Sequence, residues 1–188
     1  MGGRRSLPRS LASAARQTRP AEATRLGRSD WRWLVCTGKK GGAEVGYGRK
    51  GKGSTIMLMV DGQGTPLSAF TTDAATSEVH AIETLVDVRT ADGKPRRLMY
   101  DKAADADWLR DNLEVHGVEL ICPHRSNRTK PPRQDGRPLR RYKRRYKVER
   151  SISWLHNFRR LICRWEWYPE LFEGFVHLAC LYTILKGF

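Results

Sequence analysis

The sequence predicts an α/β domain, helices packed around a central sheet, on three observations. A β-prone hairpin occupies "STIMLMVDGQGTPLSAF". Strand, helix and strand then follow through short connections, in "RLMYD", "DADWLRDNLEVHG" and "VELICP". Amphipathic and apolar helices close the chain. With 188 residues, the chain is long enough to bury one core.

Residues 1–37 differ from the remainder. The first 30 residues hold seven arginines and no lysine, and no helical or strand period is sustained. The segment resembles an Arg-rich, acid-poor leader in composition, but it is read here as an out-of-frame or disordered basic segment preceding a domain over 38–188. "GKKGGAEVGYGRKGKG", residues 38–53, is a Gly/Lys loop, too glycine-rich to pack. It serves either as a phosphate-tracking surface or as a linker.

In the hairpin, "DGQG" supplies the turn at Asp61–Gly64. "SEVHAIETLVD" predicts a helix over Ser77–Asp87, with Val79, Ile82, Leu85 and Val86 on one face and Ser77 as cap. "RLMYD" is a short buried strand ending at Asp101. The next helix begins near Asp105 and stops at Gly117. After the strand "VELICP" and the polar loop "HRSNRTKPPRQDGRP" comes a long basic helix. In it Val148, Ile152, Leu155, Ile162 and Trp165 are spaced as one buried stripe. Tyr142, Arg145, Glu149 and His156 form a second stripe. A last helix, Pro169–Lys186, is apolar almost all round and closes the core. Its run "FVHLACLYTIL" is shorter than the roughly 20 residues of a bilayer span, so no membrane association is expected.

Lys and Arg number 35 against 20 Asp and Glu, a net charge of +15. So basic a balance implies a polyanionic partner, nucleic acid above all. The aromatics fall largely in core stripes, which disfavours single-strand or RNA recognition by stacking. Cys36, Cys122, Cys163 and Cys180 form no CxxC pair, which argues against a zinc site or a disulfide framework and for reduced thiols in a cytosolic setting.

Two acids stand out. Asp101 ends a strand, and Glu149 sits among Arg144, Arg145, Lys147 and Arg150. Carboxylates converging from separate elements suit a magnesium site on a phosphate substrate. The plain alternatives are a helix cap for Asp101 and an i,i+4 ion pair with Arg145 for Glu149.

"YKRRYKVE" fills a Y-x2-R-x3-E signature with Tyr142, Arg145 and Glu149. Together with "KKGGAEVGYGRKGKGS", "VDGQGTPLS", "YDKAADADWLRDNLEVHGVELICPHRSNR", "RRYKRRYKVERSISWLHNFRRLICRWE" and "FEGFVHLACLYTIL", it resembles the catalytic part of bacterial insertion-sequence DDE transposases, from about Lys39 onward. The resemblance implies a ribonuclease H-like mixed sheet with flanking helices, here N-terminally truncated. It also implies magnesium- or manganese-dependent cleavage and transfer of double-stranded DNA at terminal inverted repeats. Asp101 and Glu149 match the family's second and third catalytic acids and would ligate the metal. Tyr142 and Arg145 match signature positions, and His156 stands where the family often has Lys. Lys39, Lys40, Arg49, Lys50, Lys52, Arg140, Arg141, Lys143, Arg144, Lys147 and Arg150 are the expected DNA-binding residues. Implied partners are transposon ends and target DNA, with self-association or an upstream-frame product besides. The implied location is cytoplasmic, at the bacterial nucleoid.

The family's first acid has no counterpart. Its pattern, DGSFVRAKKGG, faces "WRWLVCTGKKGG" here, and the acid's slot holds Arg32. Codons for this stretch are compatible with a frame shifted by one base that reads GDGSFVRAK. The expectation is therefore a transposase, incomplete as an isolated chain, or alternatively a non-catalytic DNA-binding fragment that inhibits the full enzyme.

Overall fold

The computed structural model describes residues 29–48, 51–87, 94–140, 142 and 146–187. Seven strands form one sheet: β1 (Ser29–Gly38), β2 (Gly46–Gly48), β3 (Gly51–Asp61), β4 (Pro66–Asp73), β5 (Arg97–Met99), β6 (Glu119–Ile121) and β7 (Cys163–Arg164). The helices are α1 (Glu78–Asp87), α2 (Asp107–Val115), α3 (Gly136–Leu139), α4 (Tyr146–Leu155), α5 (Arg159–Ile162) and α6 (Pro169–Lys186).

β1 is central. Along one edge it pairs antiparallel with β3, from Ser29↔Asp61 to Thr37↔Gly53. Along the other it pairs parallel with β5 at its start and with β7 at its end. β4 and β2 extend β3 antiparallel, and β6 extends β5 parallel. The sheet is therefore mixed.

β3 shows why both faces are covered. Alternate side chains of a strand point to opposite faces. Met57 and Met59 enter a core with Ile82, Leu85, Leu109 and Leu113 of α1 and α2. Ile56, Leu58 and Val60 enter a second core with Val148 and Ile152 of α4 and Phe172 and Val176 of α6. A strand buried on both faces reads as a continuous apolar run, as "TIMLMV" does.

The hairpin, the paired short strands and the bounds of α6 match the expectations from sequence. Gly117 ends α2 with φ 72°, its amide donating to the Glu114 carbonyl at 2.8 Å. Other expectations need correcting. Residues 29–37, assigned to a segment outside the domain, lie in β1, and Leu34 and Cys36 are buried in the second core; residues 1–28 lie outside the described residues. The long basic helix is broken into α3, α4, α5 and β7. α4 ends at Leu155, and the amides of His156, Asn157 and Phe158 close a turn on the carbonyls of Ile152, Trp154 and Leu155. This turn shifts the phase of all that follows. Ile162 and Trp165, expected in the buried stripe, are exposed, and Leu161 and Arg164 are buried instead.

The described cysteines are free, and burial pushes the thiols of Cys36, Cys122 and Cys180 up to about 12. Among the described residues, no helix is long and apolar enough to cross a membrane.

Candidate nucleic-acid interface

Asp101 follows β5 by one residue beyond Tyr100 and caps a 3₁₀ turn, Lys102–Ala104, accepting the Ala103 amide at 2.8 Å. The cap reading of the sequence therefore holds, and it coexists with a position at a cleft. The half-buried Asp101 lines an opening of about 800 Å³ with Tyr47, Thr55, Ser77, Lys102 and Asn127. Arg125 fixes the floor, donating from Nε to the Lys102 carbonyl at 3.1 Å and from Nη2 to that of Ala103.

Behind this turn lies a charge cluster that sequence reasoning missed. The Asp105 carboxylate, only 1% exposed, meets Arg110 Nη2 at 3.3 Å, His124 Nδ1 at 3.0 Å and Arg128 Nη1 at 3.1 Å. The Arg125 amide donates to it at 2.8 Å. Burial alone would raise the pKa of Asp105. The Arg125 amide, His124 and Arg110 outweigh it and hold the carboxyl below the ordinary carboxylate range. Arg128 also binds Asp107 at 2.7 Å, and this contact is the main reason Asp107 is lowered. Asp105 thus ties the loop "HRSNR" to the turn that carries Asp101, rather than starting α2. The available signal was a loop dense in Arg and His just after an apolar strand.

Glu149 stands exposed in the first turn of α4, the helix packed on β1. It does not line the Asp101 cleft. Its basic neighbours on α4 hold the β3–β4 turn. Lys147 donates to the Gly62 carbonyl, Arg150 to Gln63 O at 3.0 Å and Ser151 Oγ to Gly64 O at 2.7 Å. Tyr142 is half-buried and lies before α4, and His156 is exposed just beyond its end. Arg49, Lys50, Arg141, Lys143, Arg144 and Arg145 lie outside the described residues.

The glycine-rich loop is packed, contrary to expectation. Arg164, 1% exposed, donates to the carbonyls of Ala43 (2.8 Å), Glu44 (3.2 Å), Glu166 (3.1 Å) and Trp167 (3.3 Å), and to Ser54 Oγ at 2.7 Å. Its guanidinium also lies 5.5 Å from the Phe172 ring centroid. Gly42, with φ 125°, passes so close to the Trp167 carbonyl that a Cβ would collide. On this anchored loop Lys39 and Lys40 are exposed, and Lys52 lies over the Tyr47 ring at 5.9 Å. Arg140 is exposed at the end of α3.

β1 pairs Asp30 with Met99 of β5. Arg32 lies two residues further along β1, and Asp101 two residues beyond the end of β5. Among the described residues, no three His, Cys, Asp or Glu cluster as metal ligands. The acids described therefore do not fit a centre needing three carboxylates together.

The family model "Transposase DDE domain" matches residues 23–184. The transposase assigned to insertion sequence element IS402 of Burkholderia cepacia is 31% identical over 186 residues, covering 93% of this chain and 83% of that protein. The piggyBac transposase, solved as a synaptic complex with hairpin DNA, superposes with a TM-score of 0.54 at 13% identity. The match covers 82% of this chain, which spans 45% of that one. The mixed sheet with flanking helices is thus the ribonuclease H-like fold expected from sequence.

Proposed function

The chain belongs to the transposase DDE domain family of insertion elements, and from that premise we propose that it binds double-stranded DNA at transposon ends without cutting it. The second half rests on the sequence, where Arg32 and not an acid fills the slot of the family's first acid, and on β1, which carries Arg32 and pairs with β5 just before Asp101. The first half rests on the net charge of +15 and on exposed lysines carried by an anchored loop. Lysines held by a packed backbone lose less freedom on meeting phosphates than lysines on a free linker. Base-independent contacts of this kind supply affinity and position.

Divalent-metal chemistry is usual in this family, and magnesium or manganese would be its ion. Asp101 and Glu149 are two of the three acids that such chemistry uses, so strand cleavage is assigned to a product that regains the first. One candidate source is a frame shifted by one base, with which codons for the stretch holding Arg32 are compatible and which would read GDGSFVRAK; the packing of Leu34 and Cys36 in the second core counts against it. Nucleotide sequence upstream of the Lys39 codon decides this: an A-rich slip site with that overlapping frame supports a split transposase, and its absence leaves the non-cutting binder.

Gel retardation of duplexes carrying the element's ends tests the binding. Affinity should fall steeply as salt rises, because bound phosphates release counterions. Salt-independent binding counts against the proposal, and so does nicking by the unaltered chain with magnesium or manganese. Arg32→Asp should gain measurable manganese affinity by titration calorimetry and, with it, nicking activity.

A further inference from the structure

We infer, on the reading that this chain binds DNA at transposon ends, that Trp165, Trp167 and Tyr168 form a stacking site for unpaired DNA bases beside the lysines of the glycine-rich loop. The three rings are 50%, 58% and 64% exposed, on the segment that joins β7 to α6. The helical spacing of the sequence buries Trp165, and the turn after Leu155 brings it out. Exposure then alternates along the segment. Arg164 is 1% exposed and the Glu166 side chain 8%, so both tryptophans lie on its outer side. Large rings gathered on a surface mark a contact site.

The charges around the rings select the occupant. The Lys39 amide donates to the Arg164 carbonyl at 3.1 Å, and a Cβ on Gly41 would stand 3.5 Å from the Trp167 ring. Exposed Lys39 and Lys40 therefore border the tryptophans. On the other side Arg159 and Arg160, both exposed, line an opening of about 680 Å³ with Trp165. Glu166, the acid between the tryptophans, is engaged by Arg160 at 2.9 Å and by the Trp165 amide at 3.1 Å. Flat rings bordered by cations suit a polyanion that carries flat apolar groups, which is a DNA strand with its bases unpaired. In an intact duplex the base faces already cover one another, and only phosphates and groove edges are offered. The site is also held before any ligand arrives. Arg164 donates to the carbonyls of Glu166 at 3.1 Å and Trp167 at 3.3 Å, which fixes the backbone that carries the rings. Rings on a fixed backbone lose little freedom on stacking.

Fluorescence anisotropy of the full chain tests this with two duplexes of the element's ends, one blunt and one bearing a single-stranded DNA tail of about five nucleotides. The tail should tighten binding about tenfold and quench tryptophan emission beyond what the blunt duplex does. Trp165→Ala and Trp167→Ala should each weaken binding of the tailed duplex roughly fivefold or more and leave the blunt duplex unchanged. Trp167 packs over Gly41, so Trp165 supplies the cleaner pair: Trp165→Phe should keep most of the gain from the tail, and Trp165→Leu should lose it. Equal affinity for the two duplexes overturns the stacking site and leaves the DNA-binding reading standing. Binding of neither duplex overturns both. Leucine serving as well as phenylalanine at Trp165 overturns stacking. An RNA tail bound more tightly than the DNA tail overturns DNA as the occupant. Anionic phospholipid vesicles that bind the parent chain and not Trp165→Ala, with no effect of the tail, assign the rings to a bilayer surface instead.

Discussion

Asp101 and Glu149 are both candidate catalytic acids, yet the chain holds them by opposite means. Asp101 sits in a turn whose own carbonyls bind Arg125, backed by the buried Asp105 cluster. Glu149 is exposed on a helix whose Lys147, Arg150 and Ser151 bind the hairpin turn. One acid is positioned by a charge network, the other by the seating of a helix. Residues that look like DNA contacts in the sequence can therefore be structural, and acids that look structural can face a cleft.

The largest break in this comparison is Asp105→Asn. It leaves Arg110 buried without its anion while Arg128 keeps Asp107, at a cost of about 4 kcal/mol in a urea titration. The carboxyl is lowered in the folded state, so its contribution is complete above the unfolded pKa of about 3.9 and disappears as pH falls through the folded value. Asp105→Asn should flatten the acid limb of the stability profile. Arg164→Met comes next. It takes the donor from the carbonyls of Ala43 and Trp167, while Ser54 Oγ still donates to that of Glu44, costs about 3 kcal/mol, and should increase amide exchange across residues 39–48. Asp101→Ala removes a cap and should cost about 1 kcal/mol. Glu149→Ala should lie within about 0.5 kcal/mol of the parent. If nicking is regained by Arg32→Asp, both alanine variants should abolish it. Loss through Asp101→Ala alone would leave Glu149 a solvated helix charge.

Local chemistry was legible in the sequence where it decided the structure. The apolar run of β3, the stop at Gly117 and the bounds of α6 all follow from periodicity and turn residues. The break after Leu155 was not legible, since "HNFRRLICRW" continues a helical spacing until β7 pairs with β1. Arg164 was missed because a lone Arg beside Trp165, a residue of the expected buried stripe, reads as solvated. Its acceptors are backbone carbonyls about 120 residues earlier in the chain, which no local pattern marks. Asp105 read as a helix start because its cationic partners, His124, Arg110 and Arg128, are separated from it by a strand or a turn of helix. The net charge was legible, but not its division: Arg110 and Arg164 are interior, and only the remainder can meet phosphate.

The two-residue strand β7 has a consequence for how the chain reaches its folded state. Thr37 pairs with Cys163, and Arg164 then reaches back to Ala43 and Glu44. These contacts close a loop through most of the chain, and loops of that span form late. During synthesis the end of β1 and the glycine-rich loop must wait for the last quarter of the protein. The lysine-bearing surface is therefore completed only when nearly all of the chain has left the ribosome, so fragments released early would carry the charge without the scaffold that presents it.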